Sequence, residues 1–293
     1  MKEKRLWVML GIALLVFAVL FAPLPARCAD TSGLGSLKSV HAFKYGEFTT
    51  FPNYGVYWMG DPRFSSNQPP IVVYMYFWLI QTGDHNILVD TGTGPDWATR
   101  YAPWVSPEVL LSKVGLKASD IDTIIVSHPH FDHVDGLEYF KNATVYIQRE
   151  AYRFLTEEAP EFAFIRGSNF PRKKDALTLF DLAWNGRLKF LDGDAEIFPG
   201  IKTIKVGGHH PGLQITVVQT GAKAVVLASD AVHQYVSLEK NIPMGFYQGN
   251  FKDVVKALET IRQINGVVVS GHDKQVLDRF KRVQEGVVQI YPY

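Results

Sequence analysis

The segment His128-Pro129-His130-Phe131-Asp132-His133 constrains this chain more than any other. Three imidazoles and a carboxylate fall within six residues, directly after the apolar run Ile121–Val126. A run of that length reads as a buried strand, and loops at strand ends are where rigid scaffolds build sites. Imidazole suits zinc and other borderline metals, and a carboxylate compensates charge. Consecutive ligands cannot all reach one small ion with good geometry. His128 and His130 can face one way, and Asp132 and His133 the other, which suggests two metals side by side.

Three further loops supply matching groups. His209 lies in Gly207-Gly208-His209-His210-Pro211-Gly212 after the apolar run Ile201–Val206. Asp230 lies in Ser229-Asp230-Ala231 after Ala224–Ala228, and His272 in Ser270-Gly271-His272-Asp273 after Val267–Val269. Of nine histidines, seven fall in these loops (128, 130, 133, 209, 210, 233 and 272), so their placement is not scattered.

Between the loops, strand-like and helical patterns alternate. Val40–Phe48 reads as a strand, and Ile71–Ile80 with Asn86–Val89 as a hairpin around Gly83-Asp84. Ser106–Val114 has helical spacing, with Ser106 as N-cap and Pro107 at the first helical position. Thr144–Ile147, Leu188–Leu191 and Ile215–Gln219 read as strands, and Glu150–Glu158 as helical. Residues 159–186 read as irregular and Phe-rich, most simply as core, with an apolar wall for a substrate as the alternative. Phe251–Ile264 is a helix, with apolar residues at 251, 254, 255, 258 and 261. This is the pattern of an α/β chain.

The N-terminus reads separately. Lys2, Lys4 and Arg5 precede 17 uninterrupted apolar residues, Leu6–Ala22, followed by Pro23, Pro25, Ala26 and Ala29. That describes a secretory signal peptide cut after Ala26 or Ala29, or an uncleaved anchor at the lower edge of a membrane span. Arg27 argues against a lipid on Cys28. Either way the basic flank stays in the cytoplasm and the remainder is exported, to the periplasm or beyond, or anchored facing the periplasm. The expected organisation is therefore residues 1–29 as leader or anchor and 30–293 as one metallo-hydrolase domain. Removing Lys2, Lys4, Arg5, Arg27 and Glu3 leaves 26 basic and 28 acidic residues, a formal charge of −2. Near-neutral charge argues against a nucleic-acid partner bound through bulk electrostatics. A single cysteine, Cys28, excludes an intramolecular disulfide and a zinc-thiolate cluster.

His-x-His-x-Asp-His, then Gly-His-x-Pro-Gly, Ser-Asp and Gly-His, preceded by Leu88-Val89-Asp90-Thr91-Gly92, resembles the metallo-β-lactamase superfamily over roughly residues 71–273. The resemblance implies an αβ/βα sandwich of two mixed β-sheets with helices outside and the metals between the sheets at one end. It implies that His128, His130 and His209 hold one metal and that Asp132, His133 and His272 hold the other. Asp230 would bridge them, and Asp90 would orient the site from behind. Absence of cysteine after residue 28 separates the chain from cysteine-ligand β-lactamases. Asp230 separates it from those using only histidines and Asp132, and His130 from the flavo-diiron branch. The Ser-Asp-Ala segment, the closing Gly-His-Asp and the helix Phe251–Ile264 are most similar to the N-acyl-homoserine lactonases. Three positions depart from that group: His233 where Tyr is frequent, His210 where Thr is usual, and Asp135-Gly136 in place of Gly-Gly.

The expected activity is metal-dependent ester hydrolysis that opens a lactone ring, with two divalent ions, zinc first among them, activating water. The expected substrates are N-acyl-homoserine lactones, which would make the activity quorum quenching. Asp132 is the expected proton relay and His233 the expected donor to the leaving oxygen. The competing readings are an esterase, thioesterase or phosphotriesterase on the same fold, and a non-enzymatic scaffold, whose signature would be missing ligands. His210 reads as structural, and Asp273 as a brace for the last loop. Thr91-Gly92-Thr93-Gly94 reads as a turn, and the Asn142-Ala143-Thr144 sequon as unused.

Overall fold

The computed structural model describes residues 37–50, 69–158, 172–221 and 223–293. The leader and residues 159–171 lie outside the described residues, and no described helix is long and apolar enough to cross a membrane.

β-Branched and aromatic runs make the strands. β1 (Ser39–Thr50) and β2 (Ile71–Gln81) pair antiparallel, with Phe43 opposite Phe77 and Thr50 opposite Ile71. β3 (Asn86–Val89) continues antiparallel from β2. β4 (Thr123–Ile125), β5 (Thr144–Gln148) and β6 (Leu188–Leu191) then add in parallel. The second sheet holds β7 (Ala195–Phe198), β8 (Ile201–Lys205), β9 (Gln214–Gln219), β10 (Ala224–Leu227) and β11 (Gly266–Val269). β12 (Lys281–Gln284) and β13 (Val287–Tyr291) return to the first sheet. The orders are β12-β13-β1-β2-β3-β4-β5-β6 and β11-β10-β9-β8-β7.

Alternation decides the layers. Along β1 and β2, one set of side chains (Val40, Ala42, Tyr76, Trp78, Ile80) packs with Val218, Val225, Leu227 and Val269 of the second sheet. The opposite set (Phe43, Phe77, Leu79) packs with Leu110, Leu137, Leu179 and Leu182 from helices and their connections. The outer face of the second sheet (Ile215, Val217, Val226) is covered by the helix Phe251–Gln263 through Ala257, Leu258 and Ile261. Each fully buried aliphatic side chain contributes about 1.5–3 kcal/mol. Asn250 caps that helix by accepting from the Asp253 N–H at 2.9 Å. The arrangement is helix, sheet, sheet, helix: the αβ/βα sandwich that the sequence implied.

Four segments differ from expectation. Residues 173–184 form a helix, Lys173–Trp184, rather than irregular chain. Its N-cap Arg172 makes no side-chain capping bond, and Leu177, Phe180 and Trp184 are exposed, so its apolar period is blurred. β7 and the β12–β13 hairpin were not anticipated either. β12 is wholly exposed and polar, formed by pairing rather than by an apolar pattern. Glu150–Glu158 divides into an α-helical turn, Arg149–Arg153, and a π-helical turn, Phe154–Glu158.

The site end of the first sheet depends on one close approach. A Cβ on Gly136 would lie 2.3 Å from the Thr91 carbonyl oxygen. Thr91 in turn donates through its backbone N–H and its hydroxyl to the His133 carbonyl, at 2.9 and 3.0 Å. Gly136→Ala should therefore destabilise the fold by about 3 kcal/mol, the upper range for overpacking. Denaturant unfolding measures this, and a change near zero would mean that the two loops are not locked together.

Candidate metal centre

The loop after β4 begins with Ser127 and His128 and turns into the short helix Phe131–Val134. The loops after β8, β10 and β11 bring His209, Asp230 and His272 to the same end of the sandwich. All seven residues expected as ligands are buried there. One ligand atom from each of His128, His130, His209 and Asp230 forms a group within 4.8 Å, and Asp132, His133 and His272 form another. Asp230 lies between them: its Oδ2 is 3.2 Å from His209 Nε2, and its Oδ1 is 2.9 Å from His272 Nε2 and 3.4 Å from His133 Nε2.

The outward nitrogens fix which atoms point inward. His133 Nδ1 donates to Asp90 at 2.8 Å, His209 Nδ1 to the Phe246 carbonyl at 2.9 Å, and His272 Nδ1 to the Tyr74 carbonyl at 2.9 Å. His128 Nδ1 lies 3.0 Å from Ser127 Oγ, whose own hydrogen goes to Asp90 at 2.8 Å. His130 is turned the other way, with Nε2 donating to Gln248 Oε1 at 2.6 Å. Its Nδ1 then faces His128 Nε2 at 2.8 Å and His209 Nε2 at 3.0 Å. Each imidazole whose outer N–H is so used presents a lone pair inward. Lone pairs that converge repel one another unless a cation sits between them.

Unpaired atoms point to the same answer. Asp132 Oδ1, His133 Nε2, Asp230 Oδ1 and His272 Nε2 are buried without an aligned hydrogen-bond partner. Buried polar atoms without partners are rare. Five imidazoles and two carboxylates, with outer groups already orienting them, are a donor set suited to divalent cations. The residues fit a metal centre.

The charges respond to this crowding. Burial disfavours the carboxylate of Asp132, but His133 and His272 hold it below its usual range. Burial acts likewise on Asp230, and His272, His209 and His133 outweigh it. Against burial, Asp132, Asp90 and Asp230 raise His133, and Asp230 and Asp132 raise His272. His128, His209 and His210 are lowered chiefly by burial, and His130 is pushed down to about 3.

His233 lies beside the second group, with its ring 4.5 Å from that of His272. Its Nδ1 is buried without a partner, and burial pushes its pKa down to about 3. The ring is neutral near pH 7: it offers an N–H, not an imidazolium. His210 packs against Phe154 and accepts from the Gly212 N–H at 3.3 Å. Asp273 accepts from the backbone N–H groups of Tyr235 and Gln275, both at 2.9 Å. Asp135 is buried against Lys174 at 2.8 Å, Arg172 at 2.9 Å and the Gly94 N–H at 3.0 Å. A carboxylate in the place of the expected glycine thus anchors the chain near Arg172 to this loop.

Several contributors were not legible in the sequence. Tyr45 donates to the Asp132 carbonyl at 2.8 Å, and Ser229 donates to Ser127 Oγ at 2.9 Å. Tyr74 and Phe246 act through backbone oxygens, which leave no residue-type signal. Gln248 is an ordinary residue in a loop otherwise built from Ile242, Met244, Phe246, Tyr247 and small residues. Ser127, adjacent to His128, and Ser229, adjacent to Asp230, stood where a reader could have looked.

The metallo-beta-lactamase superfamily profile matches residues 72–272. The chain belongs to that superfamily. It is similar to an N-acyl homoserine lactonase of Bacillus cereus, 27% identical over 221 residues, which span 68% of this chain and 81% of that protein. A solved quorum-quenching N-acyl homoserine lactone lactonase matches with a TM-score of 0.68 at 22% identity, covering 86% of this chain and 99% of that one. AidC, a dizinc quorum-quenching lactonase solved with a product, matches with a TM-score of 0.62 at 18% identity, covering 83% and 92%.

Histidines with lowered folded pKa values take up protons only on unfolding, between their ordinary value near 6.5 and the folded value. Six of them (41, 128, 130, 209, 210 and 233) therefore contribute stability that is lost as pH falls below about 6.5. His133 and His272, raised, contribute nothing that varies in that window. Asp175, pushed up to about 7 by burial, runs the other way as one group against six. Metal-stripped protein should unfold at lower urea at about pH 4.5 than at about pH 6.5. An unchanged or higher midpoint would contradict these burial assignments.

Proposed function

We propose that this metal-dependent hydrolase acts on ester bonds by opening lactone rings, with N-acyl-homoserine lactones as its substrates. The observation that supports this most is the pair of ligand groups sharing Asp230, together with the similarity to curated N-acyl homoserine lactonases. His128, His130 and His209 would hold one divalent ion, and Asp132, His133 and His272 the other, with Asp230 between them. Zinc suits this donor set. Bound divalent ions supply Lewis acidity, which lowers the pKa of water toward neutrality and polarises an ester carbonyl.

The chain's own groups do the rest. Asp230 and Asp132 keep their carboxylates charged in a buried site and so hold the positive charge of the cations there. Asp132 Oδ1 is free of any hydrogen bond and takes up the proton released by the attacking water. The C–O bond of the ring breaks, the ring oxygen receives a proton, and the product is an N-acyl homoserine carboxylate, with one net proton released near pH 7. His233 stands beside Asp230 and His272 and supports the departing oxygen through an N–H hydrogen bond. Asp90 keeps His133 in the tautomer that faces inward.

The N-terminal pattern adds export to this proposal. Leu6–Ala22 with its basic flank serves as the leader or anchor, and residues 30–293 as the hydrolase domain, acting in the periplasm or beyond.

The test is proton release by the purified, zinc-loaded protein with short- and long-chain acyl-homoserine lactones. His128→Ala and Asp230→Ala should each abolish turnover. His233→Ala should lower kcat about 100- to 1,000-fold with KM little changed, the range for loss of one hydrogen-bond donor to a developing negative oxygen. No release from protein that still carries its metals would reject the lactonase assignment and favour thioesters or phosphotriesters.

A further inference from the structure

The segment Met244–Asn250 contributes nothing to the proposed ligand set, yet it touches the first ligand group at three points and its neighbour Gly208 at a fourth. The Phe246 carbonyl accepts from His209 Nδ1 at 2.9 Å, and Gln248 Oε1 accepts from His130 Nε2 at 2.6 Å. The Gln248 N–H donates to the His209 carbonyl at 2.7 Å, and the Gly249 N–H donates to the Gly208 carbonyl at 3.0 Å. The contact is tight: a Cβ on Gly249 would lie 2.6 Å from the Gly208 oxygen. Both ends are pinned. Ile242 is fully buried and its N–H donates to the Ser237 carbonyl at 3.0 Å, while Asn250 caps the helix Phe251–Gln263.

His130 makes this segment consequential. It is the one imidazole of the first group turned so that Nδ1 faces inward, and the Gln248 oxygen takes its outer N–H. An acceptor in that place selects the tautomer with the Nδ1 lone pair inward. The second group is oriented from elsewhere, by Asp90 on His133 and by Tyr74 on His272. Meanwhile the Phe246 ring lies 5.5 Å from His209 and 6.0 Å from His130, and it remains 37% exposed. It therefore forms part of the rim directly over the first group.

We propose that Phe246–Gln248 is a positioning strap for one metal position only. Gln248 sets the tautomer of His130, and the Phe246 ring is the rim surface that meets the apolar acyl tail of the substrate. The second half rests on the lactonase assignment; the first does not.

The experiment compares full-length wild type, Gln248→Ala, Gln248→Glu, Phe246→Ala and Gln148→Ala. Zinc retained against a competing chelator is read first. Gln248→Ala should weaken one of the two zinc equivalents about 10- to 100-fold and leave the other unchanged. Gln248→Glu, whose carboxylate accepts the same N–H, should restore it. Gln148 is more deeply buried than Gln248 and is hydrogen-bonded to Gly193 and Gln214, but touches no ligand, so Gln148→Ala should leave both equivalents in place. Equal weakening of both equivalents, no weakening, or the same loss in Gln148→Ala would overturn the positioning role. Phe246→Ala keeps the backbone carbonyl and should keep both zinc equivalents. It should raise KM for long-chain acyl-homoserine lactones severalfold over short-chain ones, at constant kcat. A uniform change across chain lengths would overturn the rim assignment. Loss of all lactone turnover in wild type would reject the proposed function and leave the chelator result standing by itself.

Discussion

The Asp90 carboxylate ties together the ends of three strands drawn from both sheets. It sits just past β3 and accepts from the backbone N–H and hydroxyl of Ser127 past β4, at 2.7 and 2.8 Å. It also meets the Ser229 hydroxyl past β10 at 3.4 Å and the His133 ring at 2.8 Å. Asp90 and Ser229 both adopt positive φ, 61° and 45°. Such backbone costs on the order of 1–3 kcal/mol for a residue other than glycine, and persists only where surrounding bonds over-determine it. Here they do, and the strain falls where the two sheets converge on the buried His and Asp cluster.

The cluster that Asp90 supports is an electrostatic conflict resolved by position. Five imidazoles and two carboxylates are removed from water, where burial penalises every charge. The carboxylates stay ionised because histidines stand next to them, His133 and His272 for Asp132, and His272, His209 and His133 for Asp230. The remaining histidines stay neutral and turn their lone pairs inward. A site left in that condition is incomplete, and cations complete it. Glycine makes the convergence possible at one further point: a Cβ on Gly271 would lie 2.5 Å from the Ser229 carbonyl. The Gly-His spacing before His272 is thus a steric requirement as well as a motif.

Much of this was legible because the ligands are side chains of distinctive type at strand ends. The positions of His128, His130, Asp132, His133, His209, Asp230 and His272, and the bracing role of Asp273, could be read from residue type and local pattern. The strands of both sheets announced themselves wherever a buried face required β-branched or aromatic runs. The helix Lys173–Trp184 did not, because its outer face carries Leu177, Phe180 and Trp184 and masks the period. β12 did not, because an edge strand with no buried face carries no apolar signal.

The sequence by itself determined which groups could hold metal and which strand end each one follows. Those facts are local, set by residue type and by short-range periodicity. Only the tertiary structure decided which nitrogen of each histidine faces inward, since that depends on acceptors far along the chain: the Phe246 carbonyl for His209, the Tyr74 carbonyl for His272, and the Gln248 side chain for His130. A backbone carbonyl is the same group in every residue, so no pattern of residue types can announce it. It becomes a determinant only when folding brings it to hydrogen-bond distance of a ring.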